Sequence, residues 1–501
     1  MKATTIRTFT PHICGVSAAA RCRQAQPKIV HREVAGVDGH RFTSMPTALW
    51  NEMVSQLGCV LNSLCEKFDE AFRSGPDRVL LELLQDVIPS SVYDLARRLM
   101  EALLRHQTGL YRRNLNCHKC DGTLQFHGYV ARKAKTKMGP IKFSRAHYKG
   151  SCGHSAYPLD VCLGLDGEHG VLPDLQLCAT RLAAYSSYEQ ALTTLQELLP
   201  VGTFSLHLQE NITKTVADQF DRLWVEETQN VQEGWLRADT DLVEKTVVVS
   251  LDGGMCRVRK DSEKYREFKL GVLGELGTNG KIENKTFVGT FDGADKVGER
   301  LLAEYLRRDL DLVTNIHAVT DGADWIPPRI EALVHPGQKL TSVLDWFHTT
   351  ERLKACANEL HPTQPETNKA WYEMMQAALM RGHLAKFIRQ LQAAAQSVSG
   401  TESVCKTALN YFSKRKHMLK YKACRDAGLP IGSGIIEGGI RHVAKDRLDC
   451  AGMHWIKSGA GRILELRCLS ISGRWDDYSK KLSEQRLERF LEHKSQWLQA
   501  A

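Results

Sequence analysis

Two aspartates in this sequence each follow a stretch suited to a buried strand. Residues 246–249, Thr-Val-Val-Val, lead through Ser-Leu to Asp252 and two glycines, and residues 316–320 lead to Asp321 and one glycine. Because β-branched and apolar runs favour an extended backbone, we predict each aspartate at the C-terminal end of a strand. Two such strands side by side would bring both carboxylates to one sheet edge, where they can bind metal. For either aspartate alone, the alternative is an ordinary Asp-Gly turn.

A third acidic residue, Glu437, stands in a glycine-rich stretch of the C-terminal region. The sequence over 429–437 is Leu-Pro-Ile-Gly-Ser-Gly-Ile-Ile-Glu, in which Ser433 can cap a helix that carries Glu437 in its first turns. The alternative for this stretch is an ion-paired surface helix. Three basic residues follow at roughly helical spacing, and we interpret them as nucleic-acid contacts: Arg441, Lys445 and Arg447.

The elements between these acidic residues follow an informative order. After the strand that ends at Asp252, the sequence predicts a hairpin of strands over 266–276 and 285–291, a helix over 294–309, a strand over 316–321, a helix over 327–334 and a strand over 339–345. This βββαβαβ order resembles the ribonuclease H-like fold, in which the first and fourth strands are adjacent. Helical periodicity over 349–428 is too long for one connection and indicates an inserted helical domain.

Cysteine and histidine residues in the N-terminal half have the spacing of zinc ligands. Cys117 and Cys120 form a Cys-x-x-Cys turn, and Cys152 and His154 follow a basic, strand-like segment. Two thiolates from one turn and two more ligands from a facing hairpin give a tetrahedral site, so we predict a zinc ribbon with one structural Zn²⁺. A ribbon-shaped hairpin without metal is the competing interpretation. Two other residues are alternatives to His154 as the fourth ligand: His147 and Cys162.

The segment between these two groups of zinc-ligand candidates is rich in basic residues. A ribbon with a basic face can bind the backbone phosphates of DNA, whereas a merely solvated face is the alternative. The predicted phosphate contacts are Lys133, Lys135 and Lys137, and the same stripe contains Arg132, Lys142 and Arg145.

Composition restricts the class of protein. The chain has 501 residues and 43% hydrophobic residues, which is typical of a multidomain globular protein. Its formal net charge of +9 suits a polyanionic partner, but only the distribution of the charges can carry that inference. No apolar run is long enough to cross a bilayer, so we expect no membrane partner. The 15 cysteines are scattered, and no secretion signal is recognisable. We therefore expect a reducing, cytoplasmic location.

The patterns divide the chain into successive modules, so the predicted fold class is multidomain α/β. A poorly ordered leader (1–45) and a helical N-terminal module (46–113) precede the zinc-ribbon-like module (114–165). A helical region with a candidate helix-turn-helix for DNA binding (166–240) leads into the catalytic core (241–348 and 429–470), which the helical insertion (349–428) interrupts. A C-terminal helical tail covers 471–501. Because helix pairs joined by short turns are common, the helix-turn-helix has an ordinary packed helix pair as its alternative.

The motifs between Asp252 and Trp455 resemble, in their order, those of bacterial insertion-sequence transposases with an Asp-Asp-Glu site, of the ISKra4-like group. The matching stretches are Ser250–Gly254, Val319–Ile326, Leu344–His348, Ile431–Glu437 and Gly452–Trp455. The Cys-x-x-Cys region and Tyr157–Asp160 also look like the N-terminal ribbon of that group. The second turn of the ribbon departs from a four-cysteine pattern.

The resemblance implies roles for five residues. Asp252, Asp321 and Glu437 are the implied catalytic acids, and three carboxylates suit two Mg²⁺ or Mn²⁺ ions in phosphoryl transfer. The motif Asp345-x-x-His348 looks like the short motif that follows the second aspartate in related transposases. There His348 could position a phosphate or take a proton. In the alternative, Asp345 caps a helix and His348 satisfies it.

The implied function is metal-dependent cleavage and strand transfer of insertion-sequence ends in a bacterial cytoplasm. Double-stranded DNA is the implied partner, and a homodimer or higher oligomer on DNA is the implied assembly. One rival hypothesis is a ribonuclease H-like nuclease that cuts without joining. Another is a transposase-derived regulator that binds DNA without catalysis, although the presence of all three acids argues against it.

Overall fold

The computed structural model describes residues 47–74, 83–107, 114–117, 119–120, 122–167, 169–233, 243–398 and 403–498. The leader predicted over residues 1–45 lies outside the described residues. Within these ranges no helix combines the length and apolar character that crossing a membrane requires. The thirteen described cysteines are free thiols. The molecule is a mixed α/β structure with several packed modules.

A small antiparallel sheet follows two N-terminal helices. The helices are α1 (Thr47–Ser74) and α2 (Ile88–Gln107), with a π-helical turn at Leu83–Val87 before α2. The sheet contains β1 (Leu115–Asn116), β2 (Thr123–Thr136), β3 (Gly139–Gly150) and β4 (Ser155–Ala156), in that spatial order. Leu104 of α2 packs with Ile141 and Phe143 of β3, so the long β2–β3 hairpin has its own apolar support.

Four helices connect this sheet to the centre of the molecule. They are α3 (Pro158–Leu163), α4 (Pro173–Tyr185), α5 (Tyr188–Leu198) and α6 (Leu206–Glu233). Ser187 and Gln190 form a capping box that starts α5, and a short turn separates α5 from α6. The predicted helix pair is present. Three acidic residues of α6 form ion pairs with the core: Asp218, Asp221 and Glu227. Its use in DNA binding stays a prediction.

A five-stranded mixed sheet forms the central core. Its elements in chain order are β5 (Val243–Arg257), β6 (Tyr265–Leu276), β7 (Ile282–Thr290), α7 (Ala294–Arg307), β8 (Val313–Thr320), α8 (Pro327–Glu331) and β9 (Lys339–Leu344). A short 3₁₀ turn at Leu310–Leu312 precedes β8. The spatial order is β7-β6-β5-β8-β9. The pairs β5–β6 and β6–β7 are antiparallel, and the pairs β5–β8 and β8–β9 are parallel. The predicted order of elements is present, and the first and fourth strands are neighbours.

The prediction that the first strand ends at Asp252 is wrong. β5 continues to Arg257, and Asp252 lies opposite Leu270 in the antiparallel ladder with β6. Gly253 and Gly254 do not open the backbone into a turn. They are needed in the strand because a Cβ at Gly254 would lie 2.3 Å from the ring of Phe268. What ends near Asp252 is the parallel neighbour β8, so the carboxylate is uncovered on that side.

Five helices form the insertion between β9 and the last part of the core. They are α9 (Trp346–Leu360), α10 (Pro365–Met380), α11 (Leu384–Ser397), α12 (Val404–Lys414) and α13 (Tyr421–Asp426), with a 3₁₀ turn at Lys416–Met418. Their buried side chains, such as Phe387 and Phe412, form a second apolar core. Val319 and Val343 of the central sheet join this second core, which ties the insertion to the ends of β8 and β9.

The C-terminal region returns to the central sheet. It contains α14 (Gly434–Gly439), a π-helical turn at Ile440–Lys445, α15 (Asp446–Leu448), α16 (Lys457–Ile471) and α17 (Trp475–Leu498). Leu464 and Cys468 of α16 pack on β7, where Gly289 leaves room for them. Trp497 of α17 packs in the small sheet with Leu115 and Tyr148.

Candidate active site

The register of the parallel strands places three aspartates at one level of the sheet. Val249 of β5 lies opposite Ala318 of β8, so Asp252 and Asp321, each three residues further along, are side by side. Thr320 lies opposite Leu344 of β9, so Asp345 is in turn beside Asp321. This alignment is the property of parallel strands that brings residues distant in sequence to one sheet edge.

The acid Glu437 comes from α14, which packs on β5 and β6. Close packing depends on Gly439, because a Cβ there would lie 2.8 Å from the ring of Phe287. The hydroxyl of Ser433, before the helix, donates a hydrogen bond to Oε1 of Glu437 at 2.7 Å. Glu437 is therefore held over the strand that carries Asp252.

Asp252, His348 and Glu437 line one cleft of about 830 Å³. Asp321 lies beside Asp252 in the strand register, and we name these four residues the acidic cleft. Burial raises the pKa of Asp252, and the negative charges of Asp321 and Glu437 raise it further, against the opposing effects of the Gly253 amide and His348. A divalent cation beside Asp252 would offset both this burial and the neighbouring negative charges. The carboxylates of Asp252, Asp321 and Glu437 are hard oxygen donors, which fit Mg²⁺ or Mn²⁺.

Asp345 is a fully buried hydrogen-bond acceptor. One carboxylate oxygen accepts from the backbone N–H of His348 at 2.7 Å and lies 2.9 Å from its Nδ1. The other accepts from the backbone N–H of Ser433 at 2.5 Å. Asp345 therefore caps α9 and joins that helix to the loop before Glu437. Both oxygens already accept hydrogen bonds, and these contacts link His348 to this loop.

His348 carries a positive charge at neutral pH. The hydrogen bond to Asp345 raises the pKa of His348 to about 9, against the opposing effect of burial. Asp345, His348 and Glu437 offer donor atoms that lie within 4.8 Å of one another. An imidazolium at this position can donate a charge-assisted hydrogen bond to a phosphate oxygen.

Two of the three predicted DNA contacts after Glu437 are accessible, and one is not. Arg441 and Lys445 are exposed and line the acidic cleft. The prediction for Arg447 is wrong, because this side chain is only 2% exposed. Its Nε donates to the carbonyl of Ala183 at 3.2 Å, and its guanidinium lies 4.7 Å from the ring of Trp455. Helical spacing in the sequence does not show that the π-helical turn rotates this position into the core.

Two hairpin turns of the small sheet bring the zinc-ligand candidates together. The backbone N–H of Cys117 donates to the carbonyl of Gly122 at 2.7 Å, which closes the first turn. The sulfur atoms of Cys117, Cys120 and Cys152 lie within 4.8 Å of one another, and Nδ1 of His154 is 3.4 Å from the sulfur of Cys117. We name these four residues the cysteine cluster. Three thiols and one imidazole are a donor set that fits tetrahedral zinc.

The alternatives to His154 make other contacts. His147 stacks on the ring of Tyr157 with centroids 4.9 Å apart, and its Nε2 lies 3.3 Å from the hydroxyl of Ser155. The Cys162 thiol is exposed on α3, outside the two turns that form the cysteine cluster.

The basic stripe of the β2–β3 hairpin is partly used inside the molecule. Lys133 is exposed, whereas the ammonium of Lys135 donates to the carbonyl of Thr203 and that of Lys137 lies 3.9 Å from Asp174. The prediction that Arg132 and Arg145 belong to the exposed stripe is wrong. Both guanidiniums bind the carboxylate of Asp160, which is buried beneath them.

Sequence reasoning missed two residues that contact the loop carrying Asp321. The hydroxyl of Tyr411 donates to the backbone carbonyl of Asp321, and Nε of Arg415 donates to the carbonyl of Gly322 at 2.5 Å. A single tyrosine and a single arginine in a helical region form no local motif. Only the folding of the insertion onto β8 brings them to this loop.

A family model matches residues 77–485 of the chain, and its description is Uncharacterised protein family (UPF0236). No curated protein matches. One solved structure that matches is the Drosophila P element transposase strand transfer complex, with 10% sequence identity over 60% of this chain and 79% of that chain. The TM-score of 0.22 is too low to establish a shared fold.

Proposed function

This chain belongs to the uncharacterised protein family UPF0236, and we propose that it is a DNA transposase of the Asp-Asp-Glu type. The proposed reaction is metal-dependent cleavage and strand transfer of insertion-sequence ends, as in the ISKra4-like group that the sequence motifs resemble. The observation that carries the proposal is the convergence of Asp252, Asp321 and Glu437. Parallel register aligns the two aspartates, and a helix packed on the same sheet supplies the glutamate.

The strand order supports a ribonuclease H-like assignment for the core. Three antiparallel strands are followed by two parallel ones, and β5 and β8 are neighbours. The helical insertion is placed between β9 and the helix that carries Glu437, so the chain leaves and re-enters the core at the site itself. A ribonuclease H-like core interrupted in this way can present a large additional surface to DNA beside the catalytic acids.

The residues of the acidic cleft have separate tasks in the proposed reaction. Asp252, Asp321 and Glu437 would hold the divalent ions, which when bound activate the attacking oxygen and stabilise the leaving oxygen. Asp345 fixes the orientation of the charged His348 ring through the 2.9 Å hydrogen bond. His348 then offers its other ring nitrogen to an oxygen of the phosphate that is cut.

The exposed basic residues beside the cleft suit the DNA backbone. Arg441 and Lys445 follow Glu437 on the π-helical turn and line the same cleft, so a bound strand would contact them while its phosphate lies at the acids. Lys133 on the small sheet supplies a further exposed cation. The proposed partner is double-stranded DNA, from both the element ends and the target, in the bacterial cytoplasm, with a homodimer or higher oligomer as the assembly.

We assign the cysteine cluster a structural role through one Zn²⁺. The two turns of the small sheet supply its ligands, and among the described residues its donor group is separate from that of the acidic cleft. A zinc ion there would fix the two turns relative to each other and stabilise the hairpin that carries Lys133.

A strand-transfer assay with purified protein tests the proposed function. The substrate is a labelled duplex from the DNA that flanks the coding sequence, with a supercoiled plasmid as target and Mg²⁺ or Mn²⁺ as the metal. The expected product is labelled DNA covalently joined to the plasmid, absent with Asp252→Asn or Glu437→Gln. Cleaved but unjoined DNA would favour the ribonuclease H-like nuclease. Binding of the labelled duplex in a gel-shift assay, without any cleavage, would favour the non-catalytic regulator.

A further inference from the structure

The helical insertion makes several hydrogen bonds to the loop that follows β8, residues 321–324. Beyond the bond from Tyr411 to the carbonyl of Asp321, the adjacent Arg415 makes two contacts. Its Nε donates to the carbonyl of Gly322 at 2.5 Å, and its Nη2 donates to the carboxylate of Asp324 at 2.6 Å. Two consecutive carbonyls and one side chain of the loop are therefore bound by residues from the end of α12.

The gripping side chains are themselves packed against each other. The guanidinium carbon of Arg415 lies 4.6 Å from the ring centroid of Tyr411, and that of Arg352 lies 4.0 Å from it. Cation–π contacts of this kind hold a ring between two guanidinium groups.

The loop backbone turns at a glycine that lies against Arg415. Gly322 adopts φ of +79°, a left-handed conformation that favours glycine. A Cβ at this position would lie 2.6 Å from Cδ of Arg415, so the arginine occupies the space that any other residue would need. A larger residue at position 322 would therefore displace Arg415 from the loop.

The position of the Asp321 carboxylate has few other supports. β8 ends at Thr320, so Asp321 is already beyond the regular ladder of the sheet. One of its carboxylate oxygens accepts from the backbone N–H of Ala323 at 2.9 Å, within the same loop. The loop conformation therefore decides where this carboxylate points.

We propose that Tyr411 and Arg415 are positioning residues that hold Asp321 in its metal-binding place, so that the helical insertion controls assembly of the acidic cleft. This rests on the proposed function, because it takes Asp321 to be a metal ligand. Asp324, the other acid of the loop, is bound to Arg415 and is part of the contact between the insertion and the loop. The insertion would then be connected to the chemistry at the sheet through this loop.

Mn²⁺ binding and amide hydrogen exchange test this proposal in the full-length chain without DNA. Tyr411→Phe removes only the hydroxyl, and Arg415→Lys keeps the charge but loses the two-pronged contact. Tyr372→Phe is the matched control, because its hydroxyl is bonded only within the insertion, to Gln376 at 2.9 Å. Electron paramagnetic resonance measures bound Mn²⁺, and mass spectrometry measures exchange over residues 320–326.

Tyr411→Phe and Arg415→Lys should each weaken Mn²⁺ binding by about 3- to 10-fold, as expected for one lost hydrogen bond that orders a ligand. Exchange over residues 320–326 should be faster in both, while Tyr372→Phe matches the wild type and all three keep their melting temperature within about 2 °C. Unchanged exchange would show that Tyr411 and Arg415 do not order the loop. Faster exchange with unchanged Mn²⁺ affinity would show that the ordered loop does not position Asp321 for metal binding. Wild-type binding of Mn²⁺ that survives Asp252→Asn would instead contradict the proposed function itself.

Discussion

The acidic cleft and the cysteine cluster are assembled in opposite ways. The cysteine cluster comes from two hairpin turns of one small sheet, so its ligands are set by local backbone geometry. The acidic cleft takes Asp252 and Asp321 from parallel strands and Glu437 from a helix beyond the insertion. One site depends on turns, and the other depends on register and on packing between distant parts of the chain.

The two sites also differ in their donor atoms. Thiols and an imidazole suit a tetrahedral zinc ion that is never exchanged, whereas carboxylates with an open cleft suit Mg²⁺ or Mn²⁺ and a changing substrate. The cysteine cluster should therefore affect stability more than catalysis, and the acidic cleft should affect catalysis more than stability. The following four predictions test this contrast, from the largest expected effect to the smallest.

Glu437→Gln should abolish DNA cleavage, with a loss of about 10³-fold or more, because it removes one charged ligand and almost no volume. End binding in a gel-shift assay and the melting temperature should stay near the wild-type values. Ser433 still donates its hydrogen bond to the new amide oxygen, so folding is not disturbed. An equal loss of DNA binding would mean that Glu437 serves the surface and not the chemistry.

His348→Ala should reduce cleavage by about 10²-fold, the effect of losing a group that positions a phosphate or transfers a proton. Its melting temperature should change little, because the ring is partly exposed. Asp345→Ala should behave differently. It removes the cap of α9 and leaves the buried N–H of Ser433 without its acceptor, so we expect a loss of about 2 kcal/mol in the free energy of unfolding.

These two variants separate the roles of neighbouring residues by chemical denaturation and single-turnover cleavage. If His348→Ala lowers stability while the folded fraction cleaves normally, His348 only satisfies the cap, and it leaves the candidate site. A stable Asp345→Ala protein would show that the two carboxylate hydrogen bonds do not hold α9 to the loop before Glu437.

The sequence could predict the central elements because their signals are local. Strand 339–345 was predicted and β9 is Lys339–Leu344, and the helix predicted from residue 294 begins at Ala294. Asp321 follows directly after β8, as predicted. These outcomes follow from apolar periodicity and from turn residues at the ends of elements, which depend little on the rest of the chain.

The features that sequence reasoning missed depend on contacts between distant residues. Gly253 and Gly254 look like a turn, but the side chains of the partner strand β6 require glycines there. Arg447 has the spacing of an exposed base, but its position faces Trp455 and the carbonyl of Ala183. No pattern within one segment reports what another segment places against it.

Cys120→Ser should remove zinc from the purified protein, which we expect to contain one zinc per chain by elemental analysis. Loss of one thiolate ligand breaks the link between the two turns, so the small sheet should unfold at a lower temperature, while cleavage by the folded protein falls by less than about 10-fold. Cys178→Ser, outside the cysteine cluster, is the control. Protein without zinc, at wild-type stability, would leave the metal-free hairpin as the correct interpretation.

Arg441→Ala should weaken DNA binding by a few-fold at moderate salt and reduce the salt dependence by about one phosphate contact. Arg447→Ala should leave the salt dependence unchanged and lower the melting temperature, because its guanidinium is buried. Binding titrations at several salt concentrations compare the two. A reduced slope for Arg447→Ala would contradict the buried position.

The most direct test of the proposed site is the position of Mn²⁺ in crystals of the protein, located by anomalous scattering. We predict peaks in contact with the carboxylates of Asp252, Asp321 and Glu437, and none of these in crystals of Asp252→Asn. Mn²⁺ bound elsewhere, with these three carboxylates not in contact with any peak, would contradict the assignment of the acidic cleft as the catalytic centre.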